Sequence, residues 1–121
     1  MGKTHAIVFV FVFVLTSFTS ARTAFAQSDP VVAEALFQEG RTLLDQGKAA
    51  EACPKLAESH RLDPATGTLI ALALCREAEG KLASAWAAFA DAEGRARTEG
   101  SKDRETVARE RAAALYPRLC P

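Results

Sequence analysis

An excess of either charge is missing from this 121-residue sequence: 15 Lys and Arg stand against 15 Asp and Glu. A nucleic-acid-binding surface needs clustered positive charge in excess, so that class of partner is excluded. Histidine is scarce too, with His5 and His60 alone, and no Cys-x-x-Cys accompanies them. A zinc site therefore has no ligand set, and no cofactor is expected. There is no Ser-His-Asp set, no glycine-rich phosphate loop and no carboxylate pair at a useful spacing, so nothing recommends an enzyme. Past the N-terminal region, no apolar run is long enough to cross a bilayer.

What is present begins with a leader. Lys3 precedes an apolar run from Ala6 to Leu15, extended to Phe18, and a more polar stretch then closes on Ala24-Phe25-Ala26. A cation, an apolar segment and small residues two apart predict a secretory signal peptide over 1–26, cut between Ala26 and Gln27. Retention as a membrane anchor is the alternative, although the run is short for a span. No cysteine lies near the cut, which disfavours a lipoprotein. Cleavage leaves 95 residues, enough for one small domain that needs a crosslink, a partner or an array to be well supported. It also removes Lys3 and Arg22, so 13 basic residues face 15 acidic ones and the net charge becomes about −2. The mature domain is expected to be exported, periplasmic or secreted, with no membrane insertion after cleavage.

From Val31 onward alanine dominates and β-branched residues thin out, which predicts an all-α chain. Asp29 and Pro30 start a first helix, with Leu36, Gly40, Leu43 and Leu44 at helical spacing, and Gly47 ends it. A second helix runs from Lys48 to Arg61, carries Ala52, Leu56 and Ser59 inward, and stops at Leu62-Asp63-Pro64. Thr66-Gly67-Thr68 opens a third that ends at Gly80, and a fourth runs from Lys81 to Thr98 before Glu99-Gly100. Ser101 caps a fifth to about Leu115, with Val107, Ala108, Ala112 and Leu115 inward and its many charges in water. Pro117 and Pro121 make the tail irregular. Trp86 is expected to fill core beside the next helix.

The two helix pairs also repeat. Gly47-Lys48-Ala49-Ala50-Glu51-Ala52 matches Gly80-Lys81-Leu82-Ala83-Ser84-Ala85 at an offset of 33, and Leu56 falls on Phe89. With two helices per unit, this period resembles the tetratricopeptide repeat. In the first unit Leu36, Gly40, Leu43, Ala52, Leu56, Ser59 and Pro64 match its pattern, whereas Glu39 and the intrahelical Pro54 depart from it. In the second, Leu69, Leu72, Ala73, Ala85, Phe89 and Ala92 match, whereas Arg76 and Arg97 do not. Cys53-Pro54, Leu62-Asp63-Pro64, Ala73-Leu74-Cys75 and Ala83-Ser84-Ala85-Trp86 further resemble exported bacterial tetratricopeptide-like proteins, in which a PEGA-type domain often follows. The expected organisation is a linker over 27–32, repeats over 33–66 and 67–100, a capping helix over 101–116 and a tail over 117–121.

The resemblance implies a right-handed array whose first helices line a concave ligand-facing surface. On this chain that surface is Phe37, Arg41, Leu44 and Asp45 from one pair, and Ile70, Leu74, Glu77 and Ala78 from the other. Phe37 equally suits a half-buried packing role, and Arg41 and Glu77 a solvated face. Stacked pairs also bring the second and third helices together, so Cys53–Cys75 is the preferred one of three disulfide pairings, with Cys120 left free or paired to another chain. The resulting expectation is a non-enzymatic interaction module for a protein or peptide partner of unknown identity. A structural subunit forming a homo-oligomer or envelope assembly is the alternative, and a thiol-disulfide protein acting through Cys53 and Cys75 the second.

Overall fold

Three glycines decide where the chain reverses. Gly47, Gly80 and Gly100 all have positive φ, between 73° and 76°, a conformation that costs glycine nothing and other residues a good deal. At each, the glycine N–H returns to the carbonyl three residues back, and the next N–H to the carbonyl five back. These bonds are Gly47 to Leu44 with Lys48 to Leu43, Gly80 to Glu77 with Lys81 to Arg76, and Gly100 to Arg97 with Ser101 to Ala96. This Schellman arrangement ends a helix and lets the next begin two residues later.

The computed structural model describes residues 29–119, and among these there is helix and no strand. The helices are α1 (Pro30–Asp45), α2 (Ala49–Leu62), α3 (Thr66–Ala78), α4 (Leu82–Glu99) and α5 (Lys102–Leu119). Asp29 caps α1 as expected, its Oδ1 accepting from the Val32 N–H at 3.1 Å. The leader, the Ala26–Gln27 cut and Cys120 lie outside the described residues.

Each helix packs antiparallel on the next. Ser59 near the end of α2 donates to the Ala33 carbonyl near the start of α1, at 2.7 Å. Thr66 at the start of α3 donates to Glu99 at the end of α4, at 2.6 Å. Consequently α1, α3 and α5 run parallel to one another, and α3 touches both α1 and α5. The tightest approach is α1 on α2. A Cβ built on Gly40 would lie 2.7 Å from Leu56 Cγ and 3.4 Å from the Ala52 carbonyl oxygen. Leu56 is wholly buried there, and Phe89, 33 residues on, is wholly buried between α3 and α4 beside Ala73.

The interior divides in two. Ala52, Cys53, Leu56, Ala71, Leu72 and Cys75 form one cluster between α2 and α3. Leu69, Phe89, Ala92, Ala108 and Leu115 belong to the other, between α3, α4 and α5, and Trp86 packs on its edge within 6.4 Å of the Tyr116 ring. The expected disulfide joins Cys53 to Cys75, with their Cα atoms 5.6 Å apart. It ties the first hairpin to the second where no short Schellman turn does so.

Three expectations need correction. The tail is not irregular from Pro117: α5 continues through it to Leu119, past the expected end of the capping helix at 116. Pro117 and Ala113, the residue whose carbonyl loses its N–H partner, are both exposed, so water replaces the missing bond. Pro54 and Ala50 in α2 stand in the same relation. Val107 does not pack inward but is 45% exposed, and Glu105 is not solvated but 4% exposed. The buried stripe of α5 is Glu105, Ala108, Ala112 and Leu115, and that spacing carries Glu105 in and Val107 out.

Two outcomes follow for stability. Gly94 lies in α4 with nothing within 4 Å of an added Cβ, so Gly94→Ala raises the melting temperature through helix propensity, by about 1 kcal/mol. Gly40→Ala, the same exchange, lowers it because Leu56 must move, and overpacking of this kind costs about 1–3 kcal/mol. Thermal circular dichroism of the two variants reads the opposite signs. A Cys53→Ser/Cys75→Ser variant loses about 3 kcal/mol in urea titration, the loop-entropy contribution of a bridge of this span.

Candidate functional site

Parallel running of α1, α3 and α5 aligns their exposed sides into one surface. Phe37 and Ile70 stand 33 residues apart, and one further period falls on Asp103. All three line a groove of about 260 Å³, together with Arg41, Gly67, Arg104 and Val107. Phe37, Ile70 and Val107 supply its apolar part, one from each helix. The Arg41 guanidinium lies 5.9 Å from the Phe37 ring centroid, where the ring face favours a cation. Arg104 lies across α3 above Gly67, whose missing side chain leaves the space: a Cβ there would meet Arg104 Nε at 3.9 Å. A second hollow continues from Gly67 along the start of α3, past Glu34 and Glu99.

Of the eight residues expected on the concave surface, the structure brings Phe37, Arg41 and Ile70 together in this groove. Leu44 instead packs on the α2–α3 cluster and Leu74 on the α3–α5 cluster. Glu77 meets Arg111 at 3.8 Å and Arg118 at 3.5 Å, so it ties α3 to α5. Asp45 and Ala78 are exposed beyond the groove's end. Asp103, Arg104 and Val107 were not anticipated, because α5 reads as a charged cover. Extending the 33-residue period by one step would have found them.

The third wall is held by one carboxylate. Glu105 Oε1 accepts from Arg97 Nε at 3.0 Å and Arg109 Nη2 at 2.7 Å, and Oε2 accepts from Lys102 Nζ at 3.0 Å. Glu93 joins the same two arginines from α4, at 2.7 and 3.1 Å. These bonds hold Glu105 below the ordinary carboxylate range, Lys102 foremost and Arg97 next. A buried carboxylate so surrounded is tolerated because its lone pairs are met by charged donors.

The remaining chemistry is sparse. Among the described residues no group of three or more His, Cys, Asp or Glu is placed to hold a metal ion. No described helix is long and apolar enough to cross a membrane. Cys75 is fully buried and Cys53 8% exposed, which suits a structural bridge better than an exchanging one. His60 titrates below its ordinary value, chiefly because burial disfavours its charged form.

Glu105 binds its proton more weakly folded than unfolded, so its contribution is present above about pH 4 and fades as pH falls through its lowered value. Glu105→Gln is expected to lower the melting temperature at pH 7 and to flatten the loss of stability between about pH 5 and 3. Melting curves across that range measure both effects.

No known protein family, curated protein or solved structure matches this chain.

Proposed function

We propose that this chain is an exported, non-enzymatic interaction module of tetratricopeptide type, binding a peptide or helical segment of a partner protein between α1, α3 and α5. The observation that carries the reading is the groove built from three parallel helices at a 33-residue register, with Phe37, Ile70 and Val107 at its centre. A large apolar residue 45% exposed in such a hollow is better explained by a partner than by packing within the chain. Hairpins that turn through the same glycine geometry at Gly47 and Gly80 support the repeat assignment. Export is supported by the leader-like sequence of residues 1–26 and by the Cys53–Cys75 bridge, which persists in oxidising compartments.

A photo-crosslinking amino acid at Val107 tests this in the envelope fraction of a bacterial host. It is expected to give a discrete adduct, while the same group at Ala87, exposed on α4 away from the groove, gives none. Equal labelling at both positions, or none at 107, would sink the reading.

A further inference from the structure

We infer that the segment seated in this groove is acidic, with a bulky apolar side chain flanked by Asp or Glu. This rests on the interaction-module reading and adds its chemistry. Phe37, Ile70 and Val107 offer an apolar seat, and a guanidinium stands on each side of it, Arg41 from α1 and Arg104 from α5. Arg41 makes no ion pair among the described residues, and the nearest carboxylate to Arg104 is Glu99, at 4.0 Å. Both cations are therefore available to a ligand carboxylate, and Arg takes one through paired N–H groups.

Charge along the surface has a direction. Glu34 and Glu99 lie at the end where α3 begins. At the other end Arg111 and Arg118 share the single carboxylate of Glu77, 3.8 and 3.5 Å away, which leaves positive charge uncompensated beside Arg41. Asp103, on the groove wall, is the one carboxylate lining the groove itself. An acidic segment is thus drawn toward the Arg41 end and repelled by the Glu34 end, which sets its direction as well as its charge. A basic segment meets two arginines at the apolar seat, and a neutral one leaves both unmatched.

Selection of random displayed peptides on the purified protein tests this, with Gly67→Leu as the subtractive control. That substitution fills the groove from α3, improves helix propensity and meets only Arg104 at ordinary contact distance. Enriched peptides are expected to place Asp or Glu within two residues of Leu, Ile, Phe or Trp. A labelled representative, read by fluorescence anisotropy, should bind at least about tenfold more weakly to Arg41→Glu/Arg104→Glu, and its affinity should fall with salt. Arg41→Gln/Arg104→Gln should give an intermediate loss, with the helical spectrum unchanged in each variant.

Enrichment of apolar peptides without carboxylates overturns the acidic chemistry and leaves the groove reading standing. Unchanged binding to the Glu variants overturns that chemistry in the same way. No enrichment over Gly67→Leu fails both. A dimer in light scattering that Gly67→Leu abolishes would put a second copy in the groove and overturn the peptide assignment.

Discussion

The close approach of α1 and α2 at Gly40 is the constraint on which the rest depends. Leu56 occupies the space that any side chain at 40 would need, so the two backbones come together and bury Leu56 wholly. That contact sets the tilt of the first hairpin, and the Cys53–Cys75 bridge carries the setting to α3. A small residue facing a large one recurs at Ala73 and Phe89, so the second hairpin repeats the first. Dense, alanine-lined interfaces of this kind have little room to relax, because a void or an extra methyl is felt directly by its neighbours.

The groove is a consequence of that geometry. Each hairpin is antiparallel and each next helix reverses again, so every other helix runs the same way. Side chains 33 residues apart then fall side by side, as Phe37, Ile70 and Asp103 do. The third wall depends on charge more than on apolar area: Glu105, buried among Arg97, Lys102 and Arg109, holds α5 to α4. Exposed ion pairs contribute little singly, but a buried carboxylate with three cationic donors fixes an orientation. That orientation is what turns Val107 toward solvent.

The turns, the helix count and the period were all legible in the sequence, since glycine after an apolar periodic run and alanine-rich helix act locally. So was the pairing of Cys53 with Cys75, once successive pairs were taken to stack. The small residue at 40 was legible too, as part of a repeating pattern. The face of α5 was not. Its sequence offers Val107 as the natural inward residue and Glu105 as a surface charge, and hydropathy alone ranks them that way.

Only the tertiary structure decided otherwise, by bringing Arg97 and Arg109 to the same side as Ala108, Ala112 and Leu115. The stripe containing three buried apolar residues outweighs the single exposed valine, and the cost of burying the carboxylate on that stripe is offset by neighbours distant in sequence. Local sequence determined which residues form helices and where the chain turns, because propensity and capping act within a few residues. Which side chains face the groove was decided by packing between helices, since burial and ion pairing depend on partners that local sequence does not name.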